Sequence, residues 1–351
     1  MLAAPLATAL LDSPLFDVAR RPLLERHVAP TPVVWAGSAR SQLAVEFWSF
    51  LLEQQQAQPQ STVFATPRLS ERQARALCES ASCAAGVALS PLASDAPVAG
   101  VRCEPSGSAV AAATPADGAA VARAIPETRR WVNEALAPGP LHLCPFTASD
   151  SLAGVKLEAF GIPAAGIAYG ATAAASLPEL LLEFWSITDQ MLAAGQARTS
   201  SILLTAPAWD DDFAAWRDEV YPALEESVLA SGLGRSIGVV CFHPKYEIPS
   251  QKFLARRPFG HMRSTEKLRR WLSTSEPALS ADTTDEELAW AGAAMRHSPH
   301  ATINVLWASQ LEAAEGKRKS AQLYSANVRR LLAARGSSYI STNIILNLFL
   351  F

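Results

Sequence analysis

The 351-residue chain carries 30 Lys and Arg against 33 Asp and Glu, a formal net charge of −3, so no overall field draws it to nucleic acid or an anionic membrane. Hydrophobic residues make up 49% and charged residues 18%, a globular balance that fits one large or two ordinary domains. No apolar run approaches the roughly 20 residues of a bilayer span, and the chain reads as soluble.

The five cysteines (Cys78, Cys83, Cys103, Cys144 and Cys241) form no CxxC pair. An odd, irregularly spaced set in a chain of this size fits a reducing intracellular compartment better than a disulfide framework. The opening MLAAPLATALL lacks the basic n-region of a secretory signal. Arg20, Arg21 and Arg26 suit a transit peptide, whereas Asp12, Asp17 and Glu25 do not, so cytoplasm and chloroplast stroma both stand.

Residues 1–30 read as a peripheral segment punctuated by Pro and Arg. From 31 to 91 the chain alternates short apolar runs with helical stretches. VVWAG (33–37), STVFATP (61–67) and GVALSP (86–91) read as strands; SQLAVEFWSFLLEQQQ (41–56) and LSERQARALCESA (69–81) read as helices. Strand–helix alternation predicts a βαβαβ unit with a mainly parallel sheet. Residues 92–120, rich in Ala, Pro, Ser and Gly, read as a linker. A domain is then expected over 121–336. PETRRWVNEALA (126–137) reads as a helix with Pro126 near its first turn, breaking at Pro138-Gly139-Pro140 before LHLCPF (141–146).

The alternation then repeats. AAGIAYG (164–170), SSILLTAP (200–207) and SIGVVCFHP (236–244) read as strands, while 176–195 and 210–232 read as helices. Glu46-Phe47-Trp48-Ser49 is identical to Glu183-Phe184-Trp185-Ser186, and the strands fall in the same places around both. An internal duplication with a period near 140 residues accounts for this. The first copy has Ser90 where the second has His243 and lacks a CPF segment, so it reads as the degenerate one. The remainder, 264–275, 282–297 and 301–336, reads as a helical segment closed by Gly336, followed by an apolar tail at 337–351. The expected fold class is therefore α/β, with two related βαβαβ units and a helical C-terminal segment.

Thr128-Arg129-x-Trp131-Val132, Leu143-Cys144-Pro145-Phe146, Phe242-His243-Pro244-x-Tyr246, Arg256-x-Pro258-Phe259 and Tyr324-x-x-Asn327 with Leu331 resemble the uncharacterised family called domain of unknown function 1415, over residues 128–336. Arg263 stands where that family commonly has a histidine, and Ala206-Pro207 stands where bacterial members often have His-Pro. The resemblance implies an α/β fold and names no activity.

His243 falls at the carboxyl end of an expected strand, where open parallel sheets bind ligands, and imidazole there can act as a general base. Cys144, just past a helix break, is the candidate nucleophile that such a base would activate. Both also have structural readings, a strand-end histidine bonded to a loop and a buried small apolar residue. Lys245, Tyr246, Arg256, Arg257 and His261 surround His243 in sequence and form the candidate ligand-binding set. Their guanidinium donors suit a carboxylate or phosphate. No GxxxxGK[ST] or GxGxxG motif supports a nucleotide. His142-x-Cys144 and His297-x-x-His300 lack strong metal-ligand spacing, since Pro299 breaks the latter pair. No metal or cofactor is predicted.

The expected function is a small-molecule enzyme or binder for an anionic ligand, sited around Cys144, His243 and Arg256. The alternatives are a non-catalytic interaction or assembly protein using the N-terminal half, and a metal or cofactor carrier. No nucleic-acid or membrane partner is expected, and the sequence sets no oligomeric state.

Overall fold

A computed structural model describes residues 32–34, 40–56, 62–65, 69–81, 87–92, 99–106, 112–139, 141–256, 263–314 and 317–335. The expected peripheral segment at 1–30 and tail at 337–351 lie outside the described residues. The elements begin β1 (Pro32–Val34), α1 (Arg40–Gln56), β2 (Thr62–Ala65), α2 (Glu71–Ala81), β3 (Val87–Pro91), β4 (Gly100–Pro105) and α3 (Gly118–Trp131). They continue through a π-helical turn (Val132–Leu136) to β5 (Thr147–Ser149), β6 (Leu152–Ala153), β7 (Ala165–Ala171), α4 (Leu177–Ala194), β8 (Thr199–Thr205) and α5 (Phe213–Ala215). The rest are α6 (Tyr221–Ala230), β9 (Ile237–Phe242), α7 (Gln251–Arg256), α8 (Thr265–Ser275), α9 (Pro277–Asp282), α10 (Asp285–Ala294), β10 (Thr302–Trp307), α11 (Ala308–Ala314) and α12 (Lys317–Arg335). Among the described residues, no helix is long and apolar enough to cross a membrane.

The chain is mixed α/β with a helical C-terminal segment, but neither sheet is mainly parallel. The first has the order β1-β2-β4-β3 and the second β5-β6-β7-β8-β10-β9. Only β1 with β2, and β7 with β8, pair parallel; all other pairings are antiparallel. Strands β1, β2 and β3 still share one direction, as do β7, β8 and β9. In each sheet a later strand, β4 or β10, returns antiparallel and takes the place between the second and third.

Both intruding strands correct the sequence reading. β4 lies inside the expected linker at 92–120, where Val101 and Cys103 are buried and Glu104 is exposed, a period-2 pattern. β10 opens the stretch expected to be helical at 301–336, and its Ile303 and Val305 are fully buried. Its β-branched residues suit a strand.

Contacts divide the chain into two compact units: Met1–Ala112 with Ala174–Asp189 and Asp218–Gly234, and Ala113–Ala173 with Gln190–Arg217 and Arg235–Phe351. This cuts across the boundaries expected from sequence, because most of α4 and all of α6 join the N-terminal elements. Within that first unit α2 packs along α6, and Ser41 Oγ on α1 donates to Asp189 Oδ1 on α4 at 2.6 Å.

In the second unit, α3 begins eight residues earlier than expected, where Asp117 caps it by accepting from the Ala120 amide. Pro126 is thus interior to the helix. Ser264 caps α8, and a Thr284–Glu287 capping box opens α10, as the Ser-Thr-Asp-Glu entries dictate. The core joins Trp131 and Val132 to Leu203, Val240 and Phe242 on the sheet and to Leu268, Leu288 and Val328 on the covering helices. Each such side chain stabilises the unit by about 1.5–3 kcal/mol of burial.

Candidate functional site

β9 ends in His243, which is fully buried. Its Nδ1 accepts from the Lys245 amide at 3.0 Å, and its Nε2 lies 2.9 Å from the Trp209 carbonyl oxygen. That pair of partners places the ring proton on Nε2, which donates to the carbonyl. The ring packs against Phe213 and Trp216, with centroids 5.2 and 5.9 Å away. Burial lowers its pKa to about 4, because charging would be unsolvated and would cost the Lys245 bond. The strand end is therefore filled, and neither ring nitrogen of His243 bonds Cys144. The histidine ties the segment after β8 to the turn after β9.

The open space lies on a face of the second sheet. Register aligns Leu203, Asn304 and Val240 across β8, β10 and β9. Alternation directs Val240, Phe242, Asn304 and Leu306 toward a cavity of about 230 Å³ that is bounded by α11, α12 and the Leu143–Phe146 loop. The loop is held by the preceding helix end: Leu143 N donates to Ala135 O and Cys144 N to Leu136 O, satisfying carbonyls that the π turn leaves open. Asn327 Nδ2 donates to Leu143 O at 2.8 Å from the other side.

Glycines set the wall spacing. Gly154, at φ 81, would with a Cβ press Pro163 O at 3.0 Å and both Gln310 Nε2 and Ser200 Oγ at 3.3 Å. Those two side chains bond each other at 2.8 Å. By contrast, Asn304 Oδ1 is buried and has no hydrogen-bond partner among the described residues. An orphaned amide oxygen costs about 1–3 kcal/mol in a folded protein.

Cys144 lines this cavity. Burial pushes its thiol pKa up, outweighing the lowering by bonds to Thr147 and Phe146, so the sulfur holds its proton at neutral pH. A protonated thiol without a contacting base is a poor nucleophile. It supplies a small polarizable wall.

The sequence-predicted residues therefore separate. Cys144 reaches the cavity, while His243 has both nitrogens engaged elsewhere. Lys245 pairs with Asp211 at 2.7 Å on the surface. Tyr246 is buried, its carbonyl accepting from His297 Nε2 at 3.0 Å. Arg256 closes α7, and its side chain, like Arg257 and His261, lies outside the described residues.

Two features escaped the sequence reading. One is Asn304, legible only as a polar residue interrupting Thr302–Trp307. The other is not His300 itself, which the sequence already raises as a candidate metal ligand, but its carboxylate partners: its Nδ1 meets Asp210 Oδ2 at 2.7 Å and its Nε2 meets Glu127 Oε2 at 2.9 Å. Asp210 Oδ1 also accepts from the Ala301 amide at 2.6 Å. Burial opposes the charged ring, but the two bonded carboxylates prevail and raise its pKa. His297 and His300 thus serve different partners, and among the described residues no cluster of His, Cys, Asp and Glu is arranged to hold a metal ion.

No protein-family model, curated protein or solved structure matches this chain.

Proposed function

We propose that the chain is a small-molecule-binding protein whose site is the cavity beside Cys144. The cavity itself carries this reading: about 230 Å³ on one face of the second sheet, lined mainly by apolar side chains with a few polar ones such as Ser200, Asn304, Gln310 and Asn327. Concave, mostly apolar pockets with few polar groups are the usual form of ligand sites. The residues behind the resemblance to the unknown-function family support the same location. Leu143, Cys144, Phe146, Phe242, Tyr324 and Asn327 all line the cavity, and Trp131 meets Phe242 edge-on at 5.1 Å. Binding is preferred to cysteine–histidine catalysis because His243 is committed to backbone groups.

The experiment is a thermal-shift and calorimetric screen of chemically diverse small molecules, repeated on Leu306→Trp, which fills the cavity. Binders lost in the variant support the reading, since ligands raise the stability of the state that binds them. If every binder found keeps its affinity in Leu306→Trp, or if none is found, the cavity is not a ligand site.

A second reading concerns the N-terminal half. We infer that the two sheets arose by duplication, with the first copy retained as scaffold. Supporting this, β1-β2-β4-β3 and β7-β8-β10-β9 share strand order and directions. The repeated Phe-Trp pairs are also alike. Phe47 and Trp48 on α1, and Phe184 and Trp185 on α4, are all fully buried and meet edge-on at 5.7 and 5.2 Å. Both indole N–H groups lack a hydrogen-bond partner among the described residues. In the second copy β10 continues into α11 and α12, the cavity walls, whereas β4 is followed by α3. The cavity reading thus belongs to the second copy, and the first offers α2 as the surface that packs on α6.

A further inference from the structure

We infer that the cavity takes a neutral aromatic molecule of about nine non-hydrogen atoms, held by apolar and ring contacts and not by an anchored charge. This deepens the cavity reading above and rests on it.

The polar side chains of the wall are tied to the protein. Gln310 Nε2 donates to Ser200 Oγ at 2.8 Å. Asn327 Nδ2 donates to Leu143 O at 2.8 Å, and its Oδ1 accepts from Arg330 Nη1 at 3.1 Å. The Cys144 sulfur bonds to Thr147 and to the Phe146 backbone. Asn304 Oδ1 is buried and presents no surface to the space. Arg296 lays its guanidinium over the Phe242 ring, 5.3 Å from the centroid, and interacts with other groups of the protein as well. A charged ligand would enter among groups already engaged, beside leucine walls that cannot solvate it.

The rest of the wall is apolar, and much of it suits a ring. Leu136, Leu143, Leu157, Leu306, Leu311 and Leu323 line the space. With them stand the rings of Phe146, Phe242 and Tyr324 and the sulfurs of Cys144 and Met295. Aromatic rings meet edge-on or offset, and polarizable sulfur favours ring edges. A flat π ligand therefore gains contacts here that a saturated one of equal size does not. Two of the wall rings are held in place by aromatic neighbours outside the lining. Tyr324 stacks on Trp271 at 5.0 Å, and Trp131 meets Phe242 edge-on at 5.1 Å. Such a wall is preorganised, so binding costs little ordering.

The space sets the size. A dry cavity of roughly 150 Å³ lined by aliphatic and aromatic side chains holds the six carbons of benzene. At the same ratio about 230 Å³ admits about nine non-hydrogen atoms, the size of indole or of a short alkylbenzene.

The test uses four probes of that one size: indole, propylbenzene, propylcyclohexane and benzoate. Their affinities for the full chain are measured by calorimetry and ligand-observed NMR. Indole and propylbenzene should bind at least about tenfold tighter than benzoate, because its charge gains no free partner, and propylbenzene tighter than propylcyclohexane. The benzoate arm tests the anionic class expected from the sequence. Leu306→Trp should abolish binding of every probe. Leu306→Phe, a milder filling, replaces it if circular dichroism shows that the Trp variant fails to fold. Benzoate binding as tightly as indole, propylcyclohexane binding as tightly as propylbenzene, or no binding of any probe overturns the neutral aromatic class. The cavity reading then still stands on the wider screen. Aromatic binding that survives unchanged in a folded, filled variant overturns both.

Discussion

Leu311 of α11 occupies the space that a Cβ on Gly238 of β9 would need. The glycine brings the helix against the strand and makes Leu311 a cavity wall. Gly238→Ala must turn the Leu311 side chain, and overpacking of this kind costs about 1–3 kcal/mol. We expect a denaturation midpoint lowered accordingly and weaker binding of any cavity ligand. Leu311→Ala in the same chain should restore binding. A Gly238→Ala protein with unchanged stability and affinity would show that this contact does not shape the site.

His243 predicts a stability that falls with acid. Its folded pKa, about 4, lies below the unfolded value near 6.5. Between those values the unfolded chain binds the extra proton, so stability is full above about pH 6.5, falls as pH drops, and levels below about 4. The 2.5-unit gap corresponds to about 3 kcal/mol. Urea unfolding from pH 7 to 4 should show this slope, and His243→Gln should flatten it while lowering stability at pH 7 by about 2 kcal/mol for the buried partners it strands.

His300 works in the opposite sense. Its pKa is raised in the folded state, so its contribution is complete below the unfolded value near 6.5 and is lost as pH rises through the folded value. Unfolding measured from pH 6 to 9 should show declining stability that Asp210→Asn reduces. Truncation by Asp210→Ala should cost about 2–3 kcal/mol at pH 6, through lost bonds to a charged ring and to the Ala301 amide. An unchanged pH profile in Asp210→Asn would show that the ring is not held charged between Asp210 and Glu127.

Cys144 should be slow to react. With its thiol pKa pushed up by burial, labelling by iodoacetamide at pH 7.5 should run at least about tenfold slower than for an unhindered cysteine. Cys78 and Cys103, also raised by burial and, unlike Cys144, buried from solvent, should be slower still. Peptide mass spectrometry against time resolves each site. Rapid, selective labelling of Cys144 would return it to the role of nucleophile.

The repeated aromatic pair provides a paired measurement. Trp48→Phe and Trp185→Phe each remove an indole N–H with no hydrogen-bond partner among the described residues. Each should cost less than about 2 kcal/mol, well below the roughly 3–5 of truncation to Ala. Thermal melts of both variants test it, and a cost of truncation size in either would mean its N–H has a partner.

By itself the sequence determined the elements whose signals are local. The apolar run of β9 ending at Pro244, the Ser264 and Thr284 caps, and the helices α1, α2, α4 and α8 follow from periodicity and from side chains bonding their own neighbours. It also marked the Leu143–Phe146 loop and Cys144, because a proline-rich helix break is visible in composition. Only the tertiary structure decided where β4 and β10 insert, since an antiparallel strand between two parallel neighbours is specified by partners far away in the chain. The same holds for chemistry. Nothing near His243 in sequence shows that the Trp209 carbonyl, 34 residues earlier, accepts a hydrogen bond from its ring N–H, and nothing near His300 shows Glu127, 173 residues away. That the Asn304 oxygen is buried without a donor among the described residues is likewise decided by the groups folded around it. A side chain's chemical type is written locally; whether its bonding capacity is spent is settled by long-range packing.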